Sequence, residues 1–311
     1  MGATQRVVRV EAIFFTCAAI IVLAIIALFT FLGLQGLSTF QYTSPVDFFF
    51  GTTWNKNTEQ FGIIPLVYGS TMTVIISLLF SAPVAIGAAI YLTEIANASI
   101  RETLRVTVDM FAALPSVIYG LIALVVVVPI VRVAFNAPLG KGILPAAIVL
   151  IFMVQPTIIS ISADALRSVP TNLREGSTAL GATRWQTIRK VLLLSARSGL
   201  LTAMILGVGR AVGETMAVQM VVGNITESVP PNLVTGATTM PATIVTQLPE
   251  AALPAHHTAL IMVAFVLLII TFVLIMLVRQ VSAPVASRAS RRRRTAPIPV
   301  PASATAARGG S

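Results

Sequence analysis

Six long apolar stretches, separated by polar segments of unequal length, dominate the pattern along the chain. A helix needs about 20 apolar residues to cross roughly 30 Å of hydrocarbon, and each stretch meets or nearly meets that length. The first covers residues 12–34, and the second lies within 61–92. The third and fourth cover 110–131 and 142–163, the fifth about 199–223 and the sixth 258–278. Pro115 and Pro129 fall in the third, Pro145 and Pro156 in the fourth. A spanning helix tolerates proline where neighbouring helices satisfy the freed carbonyls. The pattern predicts an all-α, polytopic integral membrane protein with six transmembrane helices.

Composition agrees. Charged residues make up 10% of the chain and apolar ones 56%, whereas a soluble domain is about a quarter charged. The single cysteine, Cys17, lies inside the first apolar stretch, so neither a disulfide framework nor a thiolate metal site is available. His256 and His257 have no carboxylate or cysteine spaced as metal partners. No nucleophile, base and orienting group occur together, so no catalytic residue is assigned. The formal charge of +10 is spread over short segments between apolar runs, which argues against a continuous nucleic-acid face.

The basic residues set an orientation. With the N-terminus inside, the inner segments hold Arg6 and Arg9, Arg101 and Arg105, six basic residues from Arg167 to Arg197, and the arginines of the C-terminal tail. The outer segments hold Lys56, Arg132 and Lys141. This is the positive-inside pattern, and it places both termini in the cytoplasm. Three regions follow: residues 1–61 as an accessory helix and outer loop, 62–278 as the transmembrane domain, and 279–311 as a disordered basic tail. The first stretch lacks a small-x-small exit and is read as a retained helix. Outer loops at 35–60 and 224–257 are long enough to meet a delivery protein, and Tyr42 and Trp54 fit membrane-interface anchors. No internal repeat is evident that would favour an inverted-repeat transporter.

Between the fourth and fifth stretches lies a polar segment, 164–198, too long for a minimal turn. Ala179, Leu180, Ala182 and Trp185 give a short helix one apolar face, and Gly181 permits a close turn. The residues alone leave two readings open, an amphipathic helix on lipid headgroups and a helix that docks a partner.

Several motifs, taken in order, resemble one family. Glu175-Gly176-Ser177, three residues, Gly181, then Val191 to Leu194 after nine more, is similar to the E-A-A, G, I-x-L-P loop of binding-protein-dependent ABC importer permeases. Alanines are replaced at Gly176 and Ser177, and the proline by Leu194. Gly209-Arg210-Ala211-Val212-Gly213-Glu214-Thr215-Met216-Ala217-Val218 resembles the GRAxGETMAV segment of PstC-type permeases in phosphate importers. Leu114 to Gly120 and Ile90 to Glu94 resemble their IPSVVYG and AIYLSE segments.

The resemblance implies a type I ABC importer permease fold in a bacterial inner membrane and a phosphate path shared with a PstA-like permease. It implies two PstB-like ATPase subunits docked on the cytoplasmic loops of the pair, with Glu175, Gly181, Ala182 and Trp185 of the 164–198 loop as the coupling residues of this chain, and a PstS-like phosphate-binding protein outside. ATP and magnesium would sit on the ATPase, with no cofactor on this chain. The residues agree that no G-x-x-x-x-G-K-S/T occurs. Permeases for sulfate or another oxyanion share the helix pattern, and a self-contained channel or secondary transporter is a further alternative.

Arg210 and Glu214 stand four apart, so a continuous helix would bring them onto one face as an ion pair. Charge at mid-membrane costs about 2.5 kcal/mol or more per residue and usually marks a pathway; the bland alternative is a structural salt bridge. Ser116 and Tyr119 are hydroxyl candidates for an anion, or packing residues of a kinked helix. Gly209 and Gly213 form a small-xxx-small pair suited to close helix approach, or to exposing backbone to an anion.

Overall fold

The computed structural model describes residues 2–294. Helix α1 (Gly2–Leu37) leads through a short turn to α2 (Pro45–Phe50) and a two-stranded hairpin, β1 (Trp54–Asn55) and β2 (Gln60–Phe61). The main body follows with α3 (Ile64–Ile90), α4 (Ala98–Ala113), α5 (Ser116–Ile122), α6 (Val128–Ala134) and α7 (Ile143–Arg167). Two short helices come next, α8 (Thr171–Ala179) and α9 (Arg184–Thr187). The chain then runs through α10 (Leu193–Gly213), α11 (Met216–Val222), α12 (Met240–Gln247) and α13 (Pro254–Arg294).

Among the described residues, six helical runs are long and apolar enough to span a membrane: 12–41, 64–95, 116–134, 143–167, 184–213 and 254–276. Two differ from the sequence expectation. The third starts at Ser116, because Leu114 and Pro115 are extended and end α4; the residue before a proline disfavours helix. Residues 110–113 therefore belong to the amphipathic α4. The fifth begins at Arg184 and ends at Gly213, so residues 214–223 form a separate segment. Further on, α13 continues through Arg294. Residues 295–311 lie outside the described residues.

The core is a stack of three apolar clusters. The central one joins α3, α7, α10 and α11 through Leu150, Ile158, Ala203 and Val221. Gly207 allows this contact, since a side chain there would run into Ile158 and Val154 on α7. On the inner side, Leu166 packs with Ile188, Leu192 and Ala196. The outer cluster holds Phe48, Trp54, Phe61, Leu66 and Leu260. Helix α1 lies outside this body and touches α13, Phe29 meeting Phe265 and Phe272 edge-on at 6.2 and 6.3 Å.

Trp54 is no interface anchor: it is fully buried, and its Nε1 donates to Gln247 Oε1 at 3.0 Å. His256 Nε2 shares that oxygen at 3.0 Å, and its ring stacks on Phe61. Buried indole and imidazole groups need such partners, and the shared one, Gln247, lies 193 residues along the chain from Trp54. Tyr42 remains exposed as expected.

Candidate functional site

The charged end of the fifth span lies at a helix break. Glu214 has an extended backbone, and α11 restarts only at Met216. Glu214 Oε1 accepts a hydrogen bond from the Ala217 N–H at 3.1 Å, satisfying one of the free donors at the start of α11. The Arg210–Glu214 ion pair expected from a continuous helix is therefore not formed. Its premise fails because four residues place side chains together only while the helix persists. Glu214 instead lines an apolar cavity of about 200 Å³ with Ser70, Val74, Val218 and Thr239.

Arg210 is half-buried, and no carboxylate pairs with it among the described residues. Its Nη1 donates to Thr157 Oγ1 on α7 at 3.5 Å, a long contact, and its buried Nε has no partner. A guanidinium presents five donors in a fixed fork, so most of this group's capacity is unused. Gly209 and Gly213 face open space: a side-chain carbon at either meets nothing within 4 Å. Within this chain the close helix packing falls to Gly199 and Gly207, not to that pair.

Ser116 opens α5, half-buried, and its hydroxyl makes no hydrogen bond to another described residue. Tyr119 does make one, its hydroxyl donating to the Phe111 carbonyl at 2.7 Å across the break. It thus braces the proline-broken third span. Next to Tyr119, Gly120 lets α5 lie against Ala217 and Met220 of α11.

On α7, Thr157, Ser160, Asp164 and Arg167 recur at three- and four-residue intervals, which puts them on one side of the helix. The last three join Arg105 and Asp109 of α4 around a cavity of about 190 Å³. The spacing of these polar residues was available in the sequence, hidden by the apolar residues between them.

The polar segment after α7 forms a helix-turn-helix in place of the single short helix expected there, so Ala179, Leu180, Ala182 and Trp185 do not share one helical face. Gly181 adopts φ +78°, a region that favours glycine, and so terminates α8. Thr183 and Gln186 then form a reciprocal capping box that starts α9. Glu175, Leu180 and Trp185 are exposed, Leu180 at 89% and Trp185 at 61%, and Ala182 is half-buried between them. Where the family loop has proline, a π-helical turn at Ile188–Leu192 precedes Leu194.

Sequence reasoning did not connect Glu94 with Arg174. The two form an ion pair with Nη1 at 2.6 Å from both carboxylate oxygens, Glu94 being 10% exposed. The signal lay in two motifs, each read separately.

The comparisons bear on this arrangement. Residues 81–286 match the family model described as "Binding-protein-dependent transport system inner membrane component". The probable ABC transporter permease protein YqgH of Bacillus subtilis is 40% identical over 280 residues, covering 88% of this chain and 90% of that one. The phosphate transport system permease protein PstC of Xylella fastidiosa is 36% identical over 253 residues, covering 75% and 78%. Among solved structures, a bacterial alginate ABC transporter bound to its periplasmic protein aligns with a TM-score of 0.64 at 15% identity, covering 91% and 97%. That likeness shows the fold, a type I importer permease. A permease of this kind is not an enzyme, and ATP hydrolysis belongs to a separate subunit. With six spanning helices, an exposed inner helix-turn-helix and these relatives, the chain belongs to the inner-membrane permease family of binding-protein-dependent ABC transport systems.

Proposed function

We propose that this chain is the permease subunit of an ATP-driven phosphate importer and forms the phosphate path with a sister PstA-like subunit. The observation that carries the reading is Arg210, a guanidinium inside a spanning helix with no carboxylate against it among the described residues. Such a charge is costly in the membrane, and a passing oxyanion offsets it through forked, charge-assisted hydrogen bonds. The Xylella relative named a phosphate permease supports the choice of anion.

Around this cation the parts divide as follows. The Ser116 hydroxyl supplies a further donor along the path. Glu214 caps α11 and so holds the helix break that separates it from Arg210. Two PstB-like ATPases, carrying ATP and magnesium, dock on the inner surface of the permease pair, one of them on this chain through Glu175, Gly181, Ala182, Leu180 and Trp185. A PstS-like protein delivers phosphate at the outer loops.

The test is reconstitution of the complete complex in proteoliposomes. Radiolabelled phosphate should enter only with ATP and binding protein, and a large excess of sulfate should leave uptake nearly unchanged. ATP-independent flux, or uptake of sulfate in place of phosphate, would overturn the reading.

The assignment of Glu214 gives a separate expectation. Glu214→Gln keeps an oxygen that can accept from Ala217 N–H, so uptake should stay within about threefold of wild type. Glu214→Ala leaves that donor bare, at about 1–3 kcal/mol, and should lower uptake about tenfold. A resting ion pair with Arg210 would instead make the glutamine variant as damaging as the alanine one.

A further inference from the structure

We infer that Arg174 and Glu94 form a strut that carries motion of the inner helix-turn-helix into the two helices framing the path. The inference rests on the importer reading above. Helix α8 buries none of its residues, and Gly176 and Gly181 have open space where a side chain would begin. Apart from the Ser177–Thr187 hydroxyl contact at 2.9 Å at the start of the fifth span, its side-chain attachment to the membrane helices runs through Arg174. Nη1 binds both oxygens of Glu94 at 2.6 Å, while Nη2 donates to the Leu166 carbonyl at 2.9 Å. One planar guanidinium thus grips three elements: α8, the π-helical turn Tyr91–Ile95 that ends the second span, and the last turn of α7.

Both receiving ends are firm. Arg101 ties down the turn holding Glu94, its Nε donating to the Leu92 carbonyl at 2.9 Å and its Nη2 to Ala96 at 3.1 Å. Leu166 is fully buried and belongs to the same helix as Thr157, the partner of Arg210. Displacement of α8 therefore pulls on α7 and α3 together. A rigid element held by directional bonds transmits such motion, whereas a solvated loop would dissipate it. Arg174 and Glu94 are positioning residues, without contact to the transported ion. Lysine is a poor substitute at position 174, because a single ammonium lacks the fork that reaches carboxylate and carbonyl at once.

The experiment measures phosphate moved per ATP hydrolysed, using the complete complex with its ATPase and binding protein in proteoliposomes. Glu94→Gln and Arg174→Gln should each lower this ratio about tenfold in complexes that retain stoichiometric ATPase, and the double variant should be no worse than either alone. The exchange Glu94→Arg/Arg174→Glu should recover part of the loss. Arg174→Lys, which keeps the charge pair and so the assembly, should lower the ratio about threefold. A wild-type ratio in Arg174→Lys and in either assembled glutamine variant would overturn the strut. Should the glutamine variants not assemble, the lysine variant alone decides by the same criterion. If the wild-type complex itself moves no phosphate with ATP, the importer reading fails, and the strut falls with it for a distinguishable reason.

Discussion

On the proposed path, Arg210→Gln is expected to reduce phosphate uptake at least a hundredfold while the complex still assembles. Two hydrogen bonds to a charged group are worth about 1.5–3 kcal/mol each, and about 1.4 kcal/mol is a factor of ten. Assembly should survive because the guanidinium supports little of the fold: it makes one long contact to Thr157, and its Nε is unpartnered. Removing an unpaired buried charge also relieves a membrane cost. Arg210→Lys retains charge without the fork and should fall between the two, about tenfold below wild type. Proteoliposome uptake of labelled phosphate, normalised to assembled complex, decides. Transport by Arg210→Gln at the wild-type rate would remove this residue from the path.

The second large effect is structural. Gly69→Ala should cut the yield of assembled complex at least tenfold, whereas Gly87→Ala on the same helix should leave it unchanged or slightly improved. At Gly69 a methyl group would collide with the Thr238 carbonyl, a backbone atom with little room to give. That segment is pinned to α3, Met240 N–H donating to Ser70 Oγ at 2.8 Å. Thr73 and Thr243 add buried hydroxyl bonds beside it. At Gly87 nothing lies within 4 Å, and alanine in a helix gains about 0.5–1 kcal/mol over glycine. Size-exclusion yield of the purified complex compares them, and equal yields would show that α3 and the 238–243 segment do not pack as described.

Reading the chain in one dimension went wrong at identifiable places. Hydropathy runs unbroken from Met110, while Pro115 ends the helix at Ala113, so apolar length alone starts the third span too early. Apolar residues resume after Glu214, which hides the helix end at Gly213 and suggests the Arg210–Glu214 pair that does not form. Trp54, an aromatic in an outer loop, fits a membrane anchor by position alone; its partner Gln247 lies 193 residues away. In the inner loop, by contrast, the turn at Gly181 is legible, because it acts over a few residues, while the Thr183–Gln186 capping box divides the single short helix expected there into α8 and α9.

What the sequence by itself determined is the number of spans, the inward bias of arginine, the turn at Gly181 in the polar inner loop and the family. Each rests on a local quantity: apolar length per helix, charge per loop, or a turn closed by neighbouring residues. The tertiary structure decided that Arg210 stands without a carboxylate, that Glu214 caps α11, and that Arg174 reaches Glu94 across 80 positions of chain. Helix breaks rotate everything beyond them, and a side-chain bond forms only within about 3 Å. A small error in where a helix ends therefore redirects every partner, while leaving the count of membrane crossings untouched.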